Sequence, residues 1–112
     1  MDDNEKIAEY FERADVIADI AQLAQSLHDE YMEDDEIVAA ANDENGEGVM
    51  LLTIGAGVSD DDVDWSWQSG DNSYTGGAYS YPNWGVVWFS PEMTGKEYAK
   101  EIVDDLVNSL PW

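Results

Sequence analysis

Carboxylates are the side chains with which this sequence can do the most. Asp and Glu number 26 against four Lys and Arg, giving a formal net charge of −22 over 112 residues. They recur three and four positions apart. Glu5, Glu9 and Glu12 lead to Asp15 and Asp19, then to Asp29, Glu30, Glu33, Asp34 and Asp35, and later to Asp60, Asp61, Asp62 and Asp64. On a helix such neighbours lie about 5–6 Å apart, similar to the spacing of phosphates along a nucleic-acid strand. Rows of this kind can imitate a phosphate backbone and engage the Arg and Lys with which a partner holds DNA or RNA. The plainer alternative is a solvated helix face. Against it stands the repulsion, roughly a few tenths of a kcal/mol for each like pair at i,i+4, which almost no Lys offsets. Adaptation to high salt is a second alternative. Three Lys to one Arg, with five Trp and six Tyr, argue against it.

Other chemistry is weaker. Asp60, Asp62, Asp64 and Asp71 fall at positions 1, 3, 5 and 12 of an EF-hand-like loop. The sixth position, however, is Trp65 rather than Gly, Asp71 replaces the usual bidentate Glu, and residues 63–67 alternate like a strand. No metal site is expected. His28 is the single histidine and sits among carboxylates on a helix, so it reads as a surface residue rather than a base. Acid pairs capable of hydrolysis are so frequent that they point nowhere. There is no glycine-rich phosphate loop leading into a helix and no His/Cys ligand spacing. The expectation is therefore no catalytic residue, no cofactor and no enzyme.

The stretch from Gly70 to Asn83 differs from the rest, with one charge in fourteen residues. Long loops of this kind are often functional, and Tyr, Ser, Gly and Asn are what adaptable binding surfaces use. Tyr74, Tyr79 and Tyr81 are candidate anchors. Equally, the loop could fold back over a sheet edge or extend its flanking strands. Trp65, Trp67, Trp84 and Trp88 could stack bases or sugars, but base stacking normally accompanies a positive groove, and core packing explains them more simply.

The elements that must carry these groups follow from periodicity. Residues 1–64 hold 20 acidic and two basic residues, whereas 65–112 hold six and two. Length allows one domain, 1–112. Asn4 to about Met32 reads as one long amphipathic helix, with Ile7, Phe11, Ala14, Ile17, Ala21, Ala24, Leu27 and Tyr31 on its apolar stripe. Acidic residues from Asp29 onward oppose its dipole and predict an early end near His28. Ile37–Ala41 and Val49–Ile54 read as strands around an Asn45-Gly46 turn. Val63–Trp67 alternates as a third strand, and Trp84–Phe89, apolar on both faces, reads as a central or covered fourth. Thr94 and Glu97 have capping-box spacing. The helix they open places Tyr98, Ile102, Val103, Leu106, Val107 and Leu110 on one side. The expected fold class is α+β, ordered α-β-β-β-β-α, with a four-stranded mainly antiparallel sheet and a long N-terminal and a C-terminal helix on one face.

A polyanion of this strength is repelled by nucleic acid and anionic lipid, so direct binding to either is excluded. The absence of cysteine and of a signal-like N-terminus leads to a cytoplasmic expectation, and the longest weakly apolar run, Val49 to Val58, is far too short to span a membrane. In the carboxylates of 2–36 and 60–64, its small size and its lack of cysteine, the chain resembles the small acidic DNA-mimic inhibitors that phages and mobile elements use against restriction and CRISPR systems. That resemblance implies a non-enzymatic inhibitor whose partner is a protein with a basic nucleic-acid-binding surface, such as a defence complex. An immunity protein neutralising a cationic nuclease or deaminase toxin has the same surface physics. A sugar- or calcium-binding module is the third class.

Overall fold

The long N-terminal helix expected from periodicity is two helices. In a computed structural model, which describes residues 3–59, 62–70, 72–74 and 83–110, α1 (Asp3–Phe11) ends two residues before α2 (Ala14–Met32) begins. Arg13 at the junction is extended, with φ −68° and ψ 132°. The break has a packing cause. It re-phases the chain so that Val16 and Ile20 enter the core in place of the smaller stripe residues Ala14 and Ala21. Burying the larger side chains removes more apolar surface from water.

The acidic run after His28 does not end α2 early. That helix continues to Met32, and Asp34 then caps a third helix, α3 (Asp35–Asn42). The Asp34 carboxylate accepts hydrogen bonds from the backbone N–H of Glu36 (3.0 Å) and Ile37 (3.3 Å). Asp34, Asp35 and Glu36 thus sit at the positive end of α3, where negative charge is favourable. The strand expected over Ile37–Ala41 is therefore helical, in keeping with three successive alanines. Asn45-Gly46 belongs to the exit from α3 rather than to a hairpin, with the Asp43 carboxylate accepting from Asn45 N–H at 3.0 Å.

The strands follow: β1 (Met50–Ser59), β2 (Asp62–Ser69), the three-residue β3 (Asn72–Tyr74) and β4 (Asn83–Trp88), before α4 (Gly95–Asn108). The α+β class stands, but the order and composition expected from sequence do not. Among the described residues four helices replace two, and the sheet consists of three long antiparallel strands, β2-β1-β4, with β3 as a short edge pairing on β2. β4 is not central. Its outer edge is covered by α4, where the Asp105 carboxylate accepts from Val86 N–H (2.8 Å) and Ser109 Oγ donates to the Trp84 carbonyl (3.3 Å). Edges capped in this way are protected from pairing with other chains.

The capping box at Thr94 is present, with Glu97 N–H donating to Thr94 Oγ1 and the Glu97 carboxylate accepting from Thr94 N–H. Helices α1, α2 and α4 lie on the sheet face bearing Leu52, Ile54, Ala56 and Val87, and their buried partners include Phe11, Ile20, Tyr98, Ile102 and Leu106. Gly85 lets α4 come close. A Cβ there would stand 2.5 Å from the Ile102 carbonyl oxygen. The opposite face carries Thr53, Gly55, Asp64, Ser66 and Gln68, with Trp84, Val86 and Trp88 in register beside them. No described helix is long and apolar enough to cross a membrane.

Candidate acidic interface

Splitting the N-terminal helix changes how its carboxylates are displayed. Glu5, Glu9 and Glu12 are exposed on or beside α1; Asp15, Asp19, Asp29 and Glu30 are exposed on α2; and Glu33, Asp34 and Asp35 are exposed around the turn into α3. They form successive patches on separate helix axes, not one straight row. Several of them have structural partners. Asp15 accepts a two-point contact from Arg13, Nε to Oδ1 at 3.1 Å and Nη2 to Oδ2 at 2.6 Å. This hydrogen-bonded guanidinium lowers the Asp15 carboxyl from its usual range, and the carboxylate raises the Arg13 value in return. Arg13 also lies over the Tyr10 ring at 5.4 Å, bracing the α1–α2 break. Asp34 is spent as the cap of α3, and Asp29 accepts from Gln25 Nε2 at 2.9 Å.

Asp62 and Asp64 are exposed on β2 and line an open cleft with Lys6, Glu9, Tyr10, Arg13 and Val63. Two of the four basic side chains thus stand among acids. Asp60, Asp61, Tyr79 and Tyr81 lie outside the described residues, as does Asp71 of the calcium-loop reading. Tyr74 falls in β3 opposite Trp67. Among the described residues no group of three His, Cys, Asp or Glu is placed to hold a metal ion.

Charge density is the quantity that relates the patches to a possible partner. The described residues include 22 acidic and four basic side chains, a net of −18, in a body 46 × 26 × 23 Å across. Along the long axis that is one net charge per about 2.6 Å, against about 1.7 Å for each phosphate charge of duplex DNA. The body is thus strongly negative and less than twice as long as it is wide.

The four described tryptophans separate into two pairs. Trp65 and Trp67 face the helices and pack against the core, Trp65 donating its indole N–H to Tyr10 Oη at 3.3 Å. Trp84 and Trp88 point from the opposite face, Trp84 lying over Gly55 and Trp88 remaining 55% exposed. The four therefore do not form one stacking platform.

His28 is not on the surface. It is 7% exposed, 5.5 Å from the Phe89 ring, and its Nδ1 lies 3.0 Å from Tyr98 Oη. The Tyr98 hydroxyl donates to the Ser90 carbonyl and accepts from Ser90 N–H at 2.9 Å. With its one proton used on Ser90, Tyr98 accepts from His28, which fixes the imidazole proton on Nδ1. Burial raises the Tyr98 hydroxyl above its ordinary value. This network joins α2, α4 and the chain leaving β4. It was traceable in the step Val16, Ile20, Ala24, His28, which runs at four-residue spacing once the helix is phased from Val16. The chain matches no protein-family model, and comparison with curated proteins and with solved structures finds no similar protein.

Proposed function

We propose that this chain is a non-enzymatic inhibitor that occupies the basic nucleic-acid-binding surface of a protein partner by imitating the charge of a nucleic acid, as anti-CRISPR and anti-restriction proteins do. The observation that carries the reading is the charge density, one net charge per about 2.6 Å of the long axis against about 1.7 Å for a duplex, displayed on exposed carboxylates of all four described helices and of β2. Exposed carboxylates raise the encounter rate with a cationic surface through long-range attraction. They then take the places of phosphates against Arg and Lys. The inhibition is steric: a channel holding the chain cannot hold its nucleic acid. The cysteine-free composition suits a cytoplasmic setting.

Neutralising one patch at a time tests this. Glu5, Glu9 and Glu12 changed to Gln, or Asp29 to Asn with Glu30 and Glu33 to Gln, should slow association with the partner and flatten its dependence on salt for at least one patch. Unchanged association for every patch would overturn the electrostatic reading. A captured partner that is a cationic toxin, held without competition from nucleic acid, would move the assignment to immunity.

A further inference from the structure

The inference that goes furthest concerns the open sheet face, and it rests on the reading of a basic protein partner. Trp88 is 55% exposed there, in line with Trp84 and Val86 on β4. Beside it runs the acidic segment between α3 and β1, whose Asp43, Glu44 and Glu47 are all exposed. Gly48, with φ +91°, lays its backbone against the indole: a Cβ built on it would lie 3.6 Å from Trp88 Cε3. Glu47 immediately precedes Gly48, so the acidic segment's backbone reaches the exposed indole at Gly48.

We propose that Trp88 and this acidic segment form an arginine-selective anchor for a basic segment of the partner protein. An exposed indole attracts a cation to its face. A guanidinium is planar and weakly hydrated, so it can stack on the indole while its N–H groups reach a carboxylate; an ammonium is a strongly hydrated point charge and gains less. The acidic helices attract any cation. The Trp88 surface separates arginine from lysine.

Tetra-arginine and tetra-lysine peptides, equal in length and charge, provide the probe, titrated by calorimetry at low salt into the full chain. The arginine peptide should bind about two- to fivefold more tightly, the range an exposed cation–π contact supplies. Trp88→Leu should abolish that preference while leaving affinity for the lysine peptide unchanged. In the unaltered chain, the Trp88 indole resonance should shift with tetra-arginine and stay in place with tetra-lysine, a readout that does not depend on the variant folding. Equal affinity for the two peptides, or a preference that survives Trp88→Leu, overturns the anchor and leaves the charge-mimic reading intact. Failure of both peptides to bind overturns both.

Discussion

Removing a single oxygen atom should show how much the buried polar network contributes. Tyr98 is fully buried, and its hydroxyl makes three contacts: a hydrogen bond given to Ser90 C=O, one accepted from Ser90 N–H, and one accepted from His28 Nδ1. Tyr98→Phe preserves the ring and removes all three. His28, 7% exposed, would be left with a buried donor lacking this partner, at a cost of about 1–3 kcal/mol. Ser90 is half-buried, so water recovers part of what its two backbone groups lose. The total should be about 3 kcal/mol, read as a lower urea midpoint at constant m-value. A loss below about 1 kcal/mol would show that the hydroxyl is not the shared partner of α2, α4 and the β4 exit. The same variant carries a pH signature. Burial raises the Tyr98 value, so its contribution is complete below about pH 10, where an unfolded tyrosine ionises. The contribution is lost as pH rises through the higher folded value. Stability of the parent protein should therefore fall more steeply above pH 10 than that of Tyr98→Phe, and parallel curves would contradict this.

Three other substitutions probe separate parts of the fold. Ser66 is 2% exposed and its hydroxyl has no hydrogen-bond partner among the described residues, so Ser66→Ala should stabilise by about 1 kcal/mol in urea unfolding. Gly85→Ala would drive a methyl group to 2.5 Å from the Ile102 carbonyl, and pushing α4 off the sheet should cost about 3 kcal/mol or more. Asp34→Ala removes the cap of α3 and should cost about 1 kcal/mol with a loss of helical circular dichroism, marking Asp34 as structural as well as acidic.

Legibility in the sequence followed the strength of local signals. The capping box at Thr94 and the alternation through Val63–Trp67 were readable because each encodes its geometry within a few residues. Ile37–Ala41 was misread because a short apolar run does not distinguish helix from strand. The deciding features were Asp34 before it and the alanines within it. The break at Arg13 has no local signal; it is imposed by what Val16 and Ile20 gain in the core. The misphased stripe then placed His28 outside, hiding the Tyr98 network. The covering of β4 by Asp105 and Ser109 depends on how α4 docks, which no spacing reveals. The acidic candidates were visible by composition, whereas the division of their rows among three helices, and the use of Asp15 and Asp34 within the fold, required the structure.

The measurement to make first is capture of the partner by the immobilised chain from a lysate of the organism that encodes it, followed by competition with duplex nucleic acid across a salt series. Charge mimicry predicts a nucleic-acid-processing protein that is released by rising salt and displaced by the duplex, with affinity falling steeply as salt increases. A partner that binds the chain and nucleic acid together, or nothing retained even at low salt, would contradict it.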